Sequence, residues 1–328
     1  MLKKTATLAL SLLLVPGGLA AAPQTNPWQA AAAVIVLDGE AACVSIGGAW
    51  TAGTCTVDRL VVPAGTYLIT PLRPVRVTLS TGEVLIDGGL EIEGSFEVTR
   101  SIVNRGTLIN AGSFIVNQAQ MLNQGYWWDY LGFVSDGTVV NEGYFEAHSY
   151  SFQARTFINR MYTVIFDGEI LNSGGLMVNE GYVQNNGFLN NAAGSTLDNA
   201  GVILTYDGTL LNLGRALGRC GSAYYVLWPG AFWGNPIELE PCTDAVAVGA
   251  LADYVFDLGK RRLLDKHDAI ELRNMLKTSS KRLEKGDQAE GLALLQAFIA
   301  EVPKRTDFPV RDVLLARGFR VIELVTTP

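Results

Sequence analysis

VNEGYFEAHSYSFQARTFINRMYTVIFDGEILNSGGLMVNEGYVQNNGFLNNAAGSTLDNAG, residues 140–201, says one short phrase four times: VNEG from Val140, INRM from Ile158, VNEG from Val178 and DNAG from Asp198. Upstream, VNRG from Val103 and LNQG from Leu122 are earlier copies. The asparagines of the six copies, Asn104, Asn123, Asn141, Asn159, Asn179 and Asn199, are spaced 19, 18, 18, 20 and 20 residues apart. Self-similarity at a fixed short period is the mark of a solenoid, in which each repeat covers its neighbour.

Aligned on the asparagine, the copies show their local structure. Two positions earlier stand Ile102, Met121, Val139, Phe157, Met177 and Leu197, and one before those stand the mostly polar Ser101, Gln120, Thr138, Thr156, Leu176 and Thr196. That period-two alternation predicts a half-buried strand in every copy. The glycine two positions on (Gly106, Gly125, Gly143, Gly181, Gly201) suits a turn that needs positive φ, with Met161 as the exception. Four positions on, Leu108, Trp127, Phe145, Thr163, Val183 and Ile203 begin a second strand that points inward again. A coil of this length holds about three short strands, and such coils stack about 4.8 Å apart as a parallel β-helix. The aligned asparagines are then expected to form an amide ladder between coils. Asn110, Asn172, Asn190 and Asn212 suggest a second, less regular ladder at another corner.

The flanks read differently. Lys3 and Lys4, an apolar run from Ala6 to Val15 and Ala20-Ala21-Ala22 read as a secretory signal peptide over residues 1–22, and no later stretch is long enough to span a bilayer. Residues 23–100 are expected to hold an N-terminal cap and the first coils, with strands around Val34–Leu37, Leu60–Val62, Tyr67–Ile69 and Val84–Ile86 punctuated by Pro63, Pro71 and Pro74. Residues 101–215 carry the β-helix repeats and 216–248 a C-terminal cap. Four cysteines in an exported chain suit disulfides. Sequential pairing, Cys43–Cys55 and Cys220–Cys242, closes a short loop at each end of the array, although three pairings exist in principle. Zinc is the competing reading, weakened by wide spacings and by having His148 and His267 as the only histidines.

Composition then shifts. Lysine is absent between Lys4 and Lys260, and residues 1–249 hold 11 basic against 20 acidic residues, whereas 250–328 hold 14 against 12; the chain totals −7. That acidity, without a basic patch, argues against nucleic acid. Helical periodicity appears at Leu251, Tyr254, Val255 and Leu258, at Ile270, Leu272, Leu276 and Leu283, and at Leu292, Leu295, Phe298, Ile299 and Val302. Gly286-Asp287 reads as a turn, Pro303 as the end of the third helix, and a fourth helix is expected from about Pro309 to Leu324. Residues 249–328 therefore predict a small helical bundle.

Within it, Leu276 to Val302, containing RLEKGDQAEGLALLQAFIAEV from Arg282, resembles the FIMAH-type helical domain of secreted bacterial proteins. The matching features are Leu283-Glu284-Lys285-Gly286, Ala289, Leu294 or Leu295, Phe298-Ile299 and Val302, with Leu314-Leu315 and Val321-Ile322 closing the segment. The resemblance implies an extracellular setting, often linked to polysaccharides, and no catalytic residue. In pattern alone, the repeats resemble the adhesin-like β-helices of bacterial surface proteins.

Candidate binding residues come from the repeat alignment. Three positions after the asparagines stand Tyr126, Tyr144, Tyr162 and Tyr182, predicted to form an outward column of rings flanked by Trp128 and Tyr130. Stacked tyrosines stabilise neighbouring strands; they also offer a platform for sugar rings, strengthened by repetition along a polymer. Asp129, Asp136, Glu142, Glu146, Asp167 and Glu180 are carboxylates of the middle coils, read as solvated turn residues because no pair can be placed for glycoside cleavage. Glu142 and Glu180 share a repeat position, with Arg160 between them. His148 reads as an ordinary surface residue. No nucleophile elbow, phosphate loop or dinucleotide motif occurs, and a weak calcium site at the same carboxylates is supported by no loop motif, so no metal or cofactor is expected. The sequence thus predicts a mainly β protein, a disulfide-capped parallel β-helix followed by a small α-helical bundle. The expected function is that of a secreted, non-enzymatic adhesin-like or matrix protein that binds polysaccharide or a cell-surface protein. A passive self-assembling scaffold is the alternative, and a polysaccharide lyase or hydrolase a third reading.

Overall fold

The computed structural model describes residues 33–71, 76–79, 83–116, 120–148, 152–227 and 229–327. The expected signal peptide, Pro74 and Trp228 lie outside them. The repeats coil into a three-faced parallel β-helix. One turn reads Tyr182–Asn185, Phe188–Asn191 and Thr196–Asn199, and the next begins at Val202 directly beside Tyr182. The first face is a ten-stranded parallel sheet running from Ala33–Val36 to Ala223–Val226. The second and third faces join into one sheet because Phe133–Asn141 and Phe152–Asn159 run unbroken round the corner between them.

Alternation places the predicted apolar residues inside. Leu108, Trp127, Phe145, Val183 and Ile203 are buried from the first face, and Ile102, Met121, Val139, Phe157, Met177 and Leu197 from the third. From the second face comes a run of phenylalanines, Phe96, Phe114, Phe133 and Phe152, with successive ring centroids 5.8, 5.2 and 5.2 Å apart. Trp127 wedges among Phe133, Phe145 and Phe152 at 4.9, 4.4 and 5.6 Å. No coil could bury such rings alone, so stability comes from stacking.

Buried amides close the corners. The six asparagines form a continuous ladder, each Nδ2 donating to the next Oδ1: 2.7 Å from Asn104 to Asn123, 2.8 to Asn141, 2.9 to Asn159, 2.8 to Asn179 and 2.8 to Asn199. The second Nδ2 hydrogen goes to a carbonyl of the next coil, such as Tyr144 O from Asn123. The expected second ladder resolves into two. Asn172, Asn191 and Asn212 line the corner between the second and third faces, at 2.8 and 2.7 Å. Asn190 is not part of it: the pleat turns it outward, where it bonds Glu169. Asn110 belongs to the remaining corner, donating to buried Asp129 at 2.5 Å.

The recurring glycines serve close approach and not positive φ. A Cβ on Gly106, Gly125, Gly143, Gly181 or Gly201 would sit 2.0–2.2 Å from a backbone carbonyl oxygen of the coil below, and none of the five has positive φ. Where Met161 replaces glycine, the adjoining bond from Tyr162 N to Gly143 O stretches to 3.3 Å, against 2.8–2.9 Å for the bonds at Tyr126, Tyr144, Tyr182 and Val202. Met161 instead turns its buried side chain toward the helical bundle.

At the N-terminal end, helix α1 (Glu40–Ser45) and an antiparallel hairpin (Ala49–Thr51 with Thr54–Val57) cover the core, pinned by the Cys43–Cys55 disulfide. At the other end coiling continues further than expected, through Arg215–Gly218, Ala223–Val226, Ala231–Gly234 and Ile237–Leu239. The Cys220–Cys242 disulfide ties that last coil to the chain entering helix α2 (Asp244–Lys260). Helices α3 (Lys266–Glu284), α4 (Gln288–Arg305) and α5 (Val310–Thr326) complete the bundle. Thr243, Asp265 and Asp287 cap α2, α3 and α4 by accepting from N–H groups of the first turn. Two details differ from expectation. Ile270 faces solvent, and α4 runs through Pro303 to Arg305, where the Thr306 hydroxyl donates to Val302 O at 2.7 Å.

Candidate functional site

The tyrosines form the predicted column. Tyr126, Tyr144, Tyr162 and Tyr182 pair in register on successive strands of the first face, with ring centroids 5.9, 5.8 and 5.0 Å apart. Most of the column is covered. Tyr162 is 3% exposed and shares one apolar cluster with Met161, Val164 and the core of the helical bundle; Tyr144 and Tyr182 pack against that cluster. Phe308, from the turn before α5, sets its ring 5.4 Å from both Tyr144 and Tyr162. Tyr162 therefore has no ring face for a ligand, and the expected binding column is largely a docking surface for the bundle.

Polar contacts fix that docking. Glu142, 6% exposed, accepts from Gln124 (3.1 Å), Arg160 (2.9 Å) and Arg261 of α2 (2.7 Å). Burial pushes the Glu142 carboxyl up, but the hydrogen bonds from Gln124, Arg261 and Arg160 outweigh it, and the group sits below its ordinary value. Arg160 also reaches Glu180 at 3.3 Å, so it joins the two glutamates of equivalent repeat position. Tyr254 donates to Arg160 O at 2.7 Å, with the Arg317 guanidinium 4.0 Å from its ring centre, and Arg317 donates to Glu180 O. Asp129 and Glu142 are thus buried, a correction to their reading as solvated turn residues; alternation and the docked bundle remove them from water.

What the bundle leaves open is a second aromatic surface beside the column. Trp128 lies against Tyr126 at 5.7 Å and 13°. Along the next row, His148 is sandwiched between Tyr130 (4.8 Å) and Phe166 (5.1 Å), residues that are 44% and 46% exposed. Glu146 is the hub: one oxygen accepts from Trp128 Nε1 at 3.1 Å and from Tyr144 Oη at 2.6 Å, and the other lies 2.5 Å from His148 Nε2. Burial opposes ionisation of Glu146, yet the bonds from His148 and Tyr144 prevail and its carboxyl is depressed. Burial and the Glu146 and Glu91 charges raise the Tyr130 phenol.

Sequence reasoning gave Glu146 and His148 no role and did not single out Phe166. The signal was present: Tyr130, His148 and Phe166 each stand seven residues after a ladder asparagine. Among the described residues, no group of histidine, cysteine and carboxylate side chains is arranged to hold a metal ion, and no helix is long and apolar enough to cross a membrane. Comparison of this chain with family models, with curated proteins and with solved structures gives no match.

Proposed function

We propose that the protein is a secreted, non-enzymatic scaffold that binds polysaccharide on the open aromatic surface of the first face. The observation that carries this reading is the strip Tyr126, Trp128, Tyr130, His148 and Phe166, with Glu146 fixed among the rings. Sugar rings have apolar C–H faces that suit exposed aromatic rings, each contact being weak. A polymer crossing several rings on a rigid sheet multiplies them, because the sheet arrives already ordered. Glu146 is an acceptor for sugar hydroxyls. The two disulfides suit an oxidising compartment. Glu142 and Glu180, the carboxylates of equivalent position, are held by Arg160 and Arg261, as structural ion pairs would be.

The test is co-sedimentation with a panel of insoluble polysaccharides and cell walls, with the supernatant assayed for released sugar. Wild-type protein should sediment with at least one polymer without releasing reducing ends, and Trp128→Ala, confirmed folded by circular dichroism, should remain in solution. Sugar release would refute the non-enzymatic part, and equal sedimentation of Trp128→Ala would refute the surface. A passive scaffold is the second reading, favoured by the contact of Phe308 with Tyr144 and Tyr162, which gives the column a structural role.

A further inference from the structure

We propose that the occupant of this open sheet face is an amine-bearing glycan, a polymer of 2-amino sugars with free amino groups. The inference rests on the polysaccharide-binding reading above and narrows it by charge complementarity. None of the ten strands of the first face contains lysine or arginine. The outward column that runs through the strip is, in register, Glu91, Ile109, Trp128 and Glu146, so carboxylates stand on both sides of the tryptophan. Strands are about 4.8 Å apart, which puts Glu146 about 5 Å and Glu91 about 10 Å along the sheet from Trp128. Arg105, at a neighbouring corner, lies 3.5 Å from Asp87, and His148, a cation when protonated, is already engaged by one oxygen of Glu146.

This pattern repels uronates, sulfated glycans and phosphate-bearing polymers. It attracts an ammonium group by two routes. Exposed faces of Tyr130 and Phe166 present the negative side of an aromatic quadrupole, which holds cations. Glu146 and Glu91 supply charge-assisted acceptors. Glu146 takes three donors, from Trp128, Tyr144 and His148, while a carboxylate has about four acceptor sites, so one further donor fits. An amino sugar unites what the strip offers: an apolar ring face for Trp128 and a cation for the carboxylates.

The experiment is titration calorimetry of the full protein with a β-1,4-linked glucosamine hexasaccharide and with its fully N-acetylated counterpart, under conditions that protonate the amine. The free-amine oligomer should bind about tenfold or more tightly at low salt, and the gap should close as ionic strength rises. Glu91→Gln and Glu146→Gln should each weaken binding of the free-amine oligomer several-fold more than binding of the acetylated one. Equal affinity for the two oligomers, or tighter binding of an oligouronate, overturns this inference and leaves polysaccharide binding standing. Failure of all three oligomers and of the insoluble panel overturns both.

Discussion

Two neighbouring asparagines test the ladder account against each other. Asn191 is buried in a corner: its Oδ1 accepts from Asn172 at 2.8 Å, and its Nδ2 donates to Asn212 Oδ1 at 2.7 Å and Arg215 O at 3.0 Å. Asn190, one residue earlier, faces outward and donates to Glu169 at 3.1 Å. Asn191→Ala strips a partner from two buried side-chain groups, the Asn172 amide and Asn212 Oδ1, and also from the Arg215 carbonyl. A buried polar group left without its partner costs roughly 1–3 kcal/mol, so two give about 2–6 kcal/mol. Asn190→Ala removes one half-exposed bond, worth about 0.5–1.5 kcal/mol at most. Urea unfolding followed by circular dichroism, with disulfides intact, measures both. The midpoint of Asn191→Ala should fall well below that of Asn190→Ala with little change of slope. Equal midpoints would refute the claim that inward amides, and not asparagine content, hold the corners.

Further outcomes follow from the same geometry. Gly125→Ala would press a Cβ to 2.1 Å from Gly106 O; because that atom is backbone, the coil must separate, and thermal stability should fall more than for Gly174→Ala, whose Cβ meets nothing within 4 Å despite a positive φ of 67°. Glu142 sits below its ordinary value of 4.5 in the folded protein, so it stabilises the fold above the unfolded pKa, and that contribution is lost as pH falls through the lower folded pKa. Glu142→Gln should therefore lower stability at neutral pH and flatten its loss on acidification; an unchanged acid limb would contradict the ion-pair role. Phe308→Ala should cost less than the about 3–5 kcal/mol of a fully buried phenylalanine, because the ring is only partly buried, and should increase cleavage of the bundle by protease at low enzyme concentration. Undiminished resistance would mean that the ring does not help dock the bundle.

How much was legible follows from which physics is local. The asparagine ladder and the inward strands are written in period and alternation, and both are found where the alignment puts them. Asn190 and Asn191 differ by one residue, and a one-residue slip turns a side chain to the opposite face; without the pairing register, the sequence does not say which of the two joins the ladder. The glycines were recognisable as necessary, but their reason, a carbonyl of the coil below, is a contact between residues about a coil apart in sequence. The outward direction of the tyrosines was readable as well. Their burial was not, because it depends on which face the bundle docks against, and the contacts that decide it join Glu142 to Arg261 and Arg160 to Tyr254 across about a hundred residues. The Tyr130–His148–Phe166 row was as periodic as the tyrosine column, but a histidine and a phenylalanine in equivalent places attract less notice than four identical residues.

The central claim is that polysaccharide binds the strip left open by the bundle. The direct test uses Tyr206, another exposed ring at the same repeat position as Tyr130, separated from the strip by Asn186. Binding isotherms should be measured on whichever polymer sediments the wild type, for Tyr130→Ala with Phe166→Ala and for Tyr206→Ala. The account predicts at least a tenfold loss for the double variant, as expected from two contacts of about 0.5–1.5 kcal/mol each with the cooperation of a polymer, and wild-type binding for Tyr206→Ala. Equal loss in both, or loss confined to Tyr206→Ala, would contradict it.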